Sequence, residues 1–253
     1  MKIIVKNKAS LAKMRTAGQL LAGIMIKVKD RVVPGVSTYE LDAFIEEQMR
    51  FVDLKPTCKG YGTYKHATCI SLNDVVVHGI PSKEVILKSG DFVKIDVVGS
   101  YKDYCADMAR YFFVGDPTPV AQRLADVAQK ALDAAIAAVK PGIRLSDISA
   151  LIQRIVEKEG FGVVRDFAGH GIGKSIHEEP QVPNYGTPGN GPVLVEGMTL
   201  AIEPMITEHS YKTKVMPDRW TAKTVDGGLA AHVEDTIVVT KNGAEILTRL
   251  NEA

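Results

Sequence analysis

The hydrophobic pattern of the chain switches between a helical and a two-residue period. From Leu11 to Asp30, apolar residues recur at Met14, Ala17, Leu21, Ile24 and Val28, one face of a helix that Ser10 can cap. Val33-Pro-Gly-Val36 breaks that pattern. Ser37-Thr-Tyr-Glu40 then reads as a capping box opening a second helix, with Leu41, Ile45 and Met49 on one side. Residues 56–82 are glycine- and tyrosine-rich loop and strand. Residues 92–98 and 104–114 are rich in strand formers and flank turn chemistry from Gly99 to Asp103, which predicts a hairpin. Helical spacing returns after Asp116-Pro117, with Leu124, Val127, Ala131, Ala135 and Val139. It returns again after Pro141-Gly142, where Ser146 can cap a helix carrying Ile148, Ile152, Ile155 and Val156. Helices beside antiparallel strands predict an α+β class.

The pattern also repeats. Pro34-Gly35 and Pro141-Gly142 lie 107 residues apart, as do Leu87-Lys-Ser-Gly90 and Leu194-Val-Glu-Gly197, and Ile95-Asp96 and Ile202-Glu203. One offset at three separated places predicts a diverged duplication inside a single domain, 1–253, with pseudo-repeats of about 31–116 and 138–247. A period that long argues for two half-domains about a pseudo-two-fold axis rather than a solenoid. Each half then aims an acidic strand at the shared interface.

Those acidic strands carry the candidate chemistry. With the hairpin turn centred on Tyr101 and Lys102, Asp96 and Asp107 face each other directly, which is destabilising for like charges. Ile95 and Val97 mark the strand as at least half buried, so its carboxylate must be paired, protonated or bound to metal. The hairpin alone slightly favours a solvated face whose charges discourage edge pairing. The second half adds His170 and His177 in a glycine-rich segment, Glu203 before a proline, and Glu234 entering an apolar strand whose expected partner is the Glu203 strand. Four carboxylates and one imidazole could hold two divalent ions. Oxygen-rich ligation with one histidine favours Mn, Fe, Co or Zn without choosing among them.

Each residue has a plainer alternative. Glu234 could pair with Arg110 or Lys223, and Asp107 with Arg110. His78 alone reads as a turn or core histidine, and His66, His209 and His232 as structural or surface. Cys58, Tyr61, Tyr64, Cys69 and Trp220 are either ordinary core or the wall of an apolar, sulfur-tolerant pocket.

Composition narrows the setting. A net charge of +1 offers no bulk electrostatic attraction for nucleic acid or membrane. Three cysteines, an odd number, fit a reducing compartment rather than a disulfide framework. The first residues show no secretory pattern and the apolar run Leu20–Ile26 is too short to span a bilayer, so a soluble cytoplasmic protein is expected.

The set His78-Gly-Ile-Pro, Ile95-Asp96, Asp107, Gly169-His170-Gly-Ile-Gly, His177-Glu-Glu-Pro, Ile202-Glu203-Pro-Met and Glu234-Asp-Thr-Ile resembles the type I methionine aminopeptidases over nearly the whole chain. The resemblance implies the pita-bread fold, with its internal two-fold. It also implies removal of the initiator methionine from nascent proteins and peptides whose second residue is small. By the same resemblance, Asp96, Asp107, His170, Glu203 and Glu234 would hold two divalent metal ions, Asp107 and Glu234 bridging both. Glu203 would shuttle a proton for the attacking water, His177 would contact the scissile carbonyl, and His78 the amide on the leaving side. Cys58, Tyr61, Tyr64, Cys69, Ile176 and Trp220 would enclose the methionine side chain. Ala106 stands where the family has glycine, Met108 replaces a small or polar neighbour, and Ile176 takes a place that is aromatic in some relatives. Met108 should point to the opposite strand face. A monomer is implied, brought near the ribosome by the function alone. The rival readings are a proline-specific aminopeptidase or prolidase, and a non-catalytic pita-bread binding protein.

Overall fold

Asn7, rather than Ser10, caps the first helix: its side chain accepts from the Ser10 N–H at 2.9 Å, and α1 runs Lys8–Val28. The five expected face residues, Met14 to Val28, are all buried. Ser37 and Glu40 form the reciprocal capping box of α2, Thr38–Phe51, and bury Leu41, Ile45 and Met49. Thr118 caps α3, Pro119–Ala138, with a proline in its first turn. The last helix, α4, spans Leu145–Lys158 and starts before Ser146, because Asp147 reaches back to the Arg144 N–H at 2.9 Å. Ser146 instead bonds the main chain of Asn190. The structure is a computed structural model describing residues 2–250.

Seven strands follow one another across a nine-stranded sheet in the order Lys55–Pro56, Phe92–Tyr101, Tyr104–Phe113, Glu234–Thr240, Thr199–Ile202, Gly169–Gly171 and Glu178–Val182. Thr68–Leu72 also pairs with Phe92–Tyr101, and Gly243–Ile246 with Glu234–Thr240; every pairing is antiparallel. Two three-stranded sheets complete the fold, one joining Ala230–His232 to Met205–Thr207 and Gly162–Val163. The expected partnership of the Glu203 and Glu234 strands is present, since Ile202 pairs with Asp235.

Strand alternation divides the sheet's two faces. Val93, Ile95, Val97 and Met108 pack with α1 and α2 residues such as Leu21 and Ile45 in one core. Leu200, Ile202, Ile237 and Val239 pack with α3 and α4 residues such as Leu132 and Ile152 in another. Each fully buried aliphatic side chain contributes about 1.5–3 kcal/mol, so the helix-facing side carries most of the burial energy. Met108 points into that core as its parity requires, away from Asp107. The residues between, at Asp96, Asp107, Ala201 and Glu234, occupy the other face. This is the layering expected of a pita-bread fold.

The 107-residue offset recurs in the fold's fastenings. Ser37 bridges Ile86, and Arg144 bridges Val193. The Gly35 N–H donates to the Leu87 carbonyl at 2.9 Å, and the Gly142 N–H to the Leu194 carbonyl at 2.9 Å. Helices α2 and α4, at 38–51 and 145–158, stand at the same offset.

Candidate active site

Three adjacent strands make an acidic wall. Asp96 and Glu234 both pair with Ala109 on the central strand, so the three lie in one row across the sheet. Asp107 stands two residues along from Ala109 on the same face. Neighbouring strands are about 4.8 Å apart, which lets these carboxylates converge over the small Ala109. The expected register of the hairpin is corrected here. Asp107 pairs with Val98, not Asp96, because the turn is Lys102-Asp103, both at positive φ (48° and 66°). The slip is two residues, and a slip of two preserves the face.

The second half completes the cluster. Pro204 follows Glu203 directly, and the antiparallel register sets Glu203 beside Glu234. His170 pairs with Ala201 on the next strand, flanked by glycines for a steric reason. A Cβ at Gly169 or Gly171 would strike the main-chain carbonyl of Ala201 or Glu179. His170 Nε2 lies 3.8 Å from Asp107 Oδ2 and 3.6 Å from Glu203 Oε1. Its Nδ1 sits 3.0 Å from the Gly171 carbonyl, a contact that places the ring proton there and turns the Nε2 lone pair toward the carboxylates.

Electrostatically the cluster is a concentration of buried acid. Burial raises the Asp96 carboxyl to about 6, with Glu203 adding to the rise and His232 opposing it. Burial raises Glu203 to about 8. Asp107 and Glu234 go well above the usual carboxylate range, through burial first and then through Asp96 and Asp107 respectively. Burial lowers His170 to about 4, aided by His177. Among the described residues, Asp107 Oδ1 and Glu234 Oε1 are buried without a hydrogen-bond partner. Buried acceptors of this kind are costly unless something binds them. Asp107, His170 and Glu234 present ligand atoms within 4.8 Å of one another, and so do Glu203, His232 and Glu234. The donor set therefore fits divalent cations.

A cavity of roughly 160 Å³ opens beside this wall. It is lined by all thirteen residues that the sequence nominates, with Val98 added. Cys58, Cys69 and Ile176 form its apolar end, and Tyr64 closes it with its hydroxyl donating to the Thr68 carbonyl at 2.8 Å. Trp220 packs edge-on to Tyr64 at 5.0 Å and to His78 at 6.4 Å. His177 Nδ1 lies 2.9 Å from Tyr61 Oη, and its ring meets that of His170 at 4.4 Å. His78 adopts φ +59° and packs against Phe167 at 5.4 Å. Burial lowers His78 to about 4, with His232 and His177 contributing, and lowers His177 as well.

The ion-pair alternatives do not form. Arg110 reaches Asp235 at 2.6 Å on the helix side of the sheet, and Lys223 pairs with Asp74. His66 bonds Asp42 and His209 lies exposed near Glu208, both in structural or surface roles. His232 does not belong with them. It is buried, with Nε2 3.3 Å from Glu203 Oε2 and 3.9 Å from Glu234 Oε2. It stands two residues before Glu234 but on a separate strand of another sheet, so alternation along the chain does not by itself place the two together.

With this geometry in view, comparison with known proteins is specific. The pattern of metallopeptidase family M24 matches residues 12–241. The methionine aminopeptidase of Clostridium acetobutylicum is 43% identical over 246 residues, covering 97% of this chain and 98% of that protein. That of Escherichia coli K12 is 45% identical over 252 residues, covering 98% and 94%. The crystal structure of a Thermotoga maritima methionine aminopeptidase superposes with a TM-score of 0.97 at 46% identity, covering 98% of this chain and all (100%) of that one. On matches of this extent, the chain belongs to metallopeptidase family M24.

Proposed function

We propose that this chain is a metal-dependent aminopeptidase that removes the N-terminal methionine of peptides and proteins, and specifically the initiator methionine when the second residue is small. The observation that carries this reading is the joining of two features in one cavity of about 160 Å³: a wall of buried carboxylates and an apolar end formed by Cys58, Cys69 and Ile176. Sulfur and aromatic groups at its end favour a thioether. Three buried free thiols support a reducing, cytoplasmic setting.

In this mechanism Asp96, Asp107, His170, Glu203 and Glu234 would hold the divalent ions. Such ions would supply Lewis acidity for the scissile carbonyl and acidify the attacking water. Glu203, beside the attacking water's place, takes its proton and passes it to the departing amine. His177 stays neutral; with Tyr61 Oη donating to Nδ1, the ring proton sits on Nε2 and is offered to the carbonyl oxygen as it gains charge. His78, also neutral, orients the amide on the leaving side.

The test is hydrolysis of Met-Ala-Ser after chelation and stepwise return of Mn, Fe, Co or Zn, with Lys-Ala-Ser and Ala-Pro beside it. Metal-dependent release of methionine alone is expected. Cleavage of Ala-Pro instead would overturn the methionine reading in favour of proline-specific cleavage, and no cleavage with metal bound would overturn the catalytic one.

A further inference from the structure

We propose that His232 is a direct protein ligand of the metal centre, supplying through Nε2 a second imidazole to the ion opposite His170. This rests on the metal-dependent reading above and adds a ligand to it.

Three observations carry the assignment. First, among the described residues, His232 Nε2 is buried with no hydrogen-bond partner, although Glu203 Oε2 is only 3.3 Å away. The geometry fails as an N–H donated to that oxygen, whereas a lone pair directed into the cluster needs no such alignment. Second, the shortest spacing, His232 to Glu203, is that of atoms sharing an ion, and the others lie about 0.1–0.4 Å beyond the range such atoms span. Ligand atoms each bonded at about 2.0–2.2 Å lie about 3–3.5 Å apart around a small cation. His232 stands 3.3 and 3.9 Å from Glu203 and Glu234, and His170 stands 3.6 and 3.8 Å from Glu203 and Asp107. Third, the two imidazoles flank opposite oxygens of Glu203, His170 at Oε1 and His232 at Oε2. The cluster thus separates into two three-residue groups that share Glu234.

Backbone pairing makes this position deliberate. Ala230–His232 is tied to Met205–Thr207, with His232 opposite Met205, two residues after Glu203. One short strand and one proline-stopped strand therefore present His232, Glu203 and Glu234 to a common point. Coordination through Nε2 requires the ring proton on Nδ1. A second nitrogen ligand shifts the site's preference toward Fe, Co and Zn relative to Mn.

The test titrates chelated protein with Co(II), read by visible d–d absorption and by equilibrium dialysis, for wild type, H232Q and H232A. Wild type is expected to bind two equivalents. Both variants should bind one of them at least tenfold more weakly, with an altered d–d band and a smaller preference for Co over Mn. The second readout uses wild type alone, so it does not depend on either variant folding. Proton NMR of the Co(II)-loaded enzyme should show two hyperfine-shifted, exchangeable imidazole N–H signals, from His170 and His232. A single such signal overturns the proposal, as do unchanged affinity and spectrum in both variants, even if their turnover falls. Wild type that binds no Co(II) would overturn the metal-centre reading itself, a different failure.

Discussion

Thr236 holds the backbone of Asp107 from both sides: its hydroxyl accepts from the Asp107 N–H at 2.9 Å and donates to the Asp107 carbonyl at 2.8 Å. The ladder between the two strands has its last main-chain pairs at Glu234–Ala109 and Asp235–Met108, so this side chain continues the ladder where the backbone does not. Thr236→Val keeps the shape and removes both bonds, leaving two buried main-chain groups unsatisfied. A loss of about 2–4 kcal/mol is expected in urea denaturation. Metal affinity should fall with it, and Thr236→Ser should recover most of both.

Asp107→Asn and Glu234→Gln should separate catalysis from folding. Each keeps the side chain's shape while removing a charge that the metal-free fold holds only with difficulty. Activity should drop by about 10³-fold or more. Thermal denaturation after chelation at pH 8 should show the variants no less stable than wild type. Unfolded variants would mark these acids as structural.

The same charges fix a pH dependence for the chelated protein. A carboxyl whose folded value lies above its unfolded one contributes stability that is present at low pH and lost as pH rises through the folded value. For Asp96 and Glu203 those folded values are about 6 and about 8. The buried histidines act oppositely, but near pH 7 their contribution is complete, since His170, His78 and His232 are lowered to about 4. Between pH 7 and 9 the chelated protein should therefore lose stability with rising pH. Saturating metal should abolish or reverse that slope in a denaturant series.

Lys6 and Glu178 form a buried pair at 2.6 Å, and Glu178 also accepts from the Lys174 N–H at 2.9 Å. The loop between them carries Ile176 and His177. Lys6→Met strands a buried carboxylate, which costs about 3–5 kcal/mol in such settings. The expected result is a lower melting temperature and a reduced kcat with metal content unchanged. Adding Glu178→Gln should restore stability more fully than turnover.

Much of this was legible in the chain because period and parity are robust to small errors. The helix faces appear where the spacing puts them, and Asp96 and Asp107 share a face despite a register displaced by two. What failed were local choices among similar signals. Ser10 and Ser146 look like caps, yet Asn7 and the backbone of Arg144 fill those positions. Turn chemistry from Gly99 to Asp103 suggests a turn centred on Tyr101 and Lys102, yet Lys102 and Asp103 take the left-handed conformations. His232 reads as structural or surface because a lone histidine near a strand end carries no spacing motif of its own; only the tertiary approach of Met205–Thr207 brings it to Glu203.

The paired fastenings at Ser37–Ile86 and Arg144–Val193 have a further consequence. Asp96 and Asp107 belong to one side of that offset and His170, Glu203 and Glu234 to the other, so neither half alone would supply the full set of ligands proposed above. Ions held there would act as a rivet through the seam. Local fraying in either half, even far from the cavity, should release them before global unfolding, so that the rate of metal exchange reports how tightly the two halves are clasped.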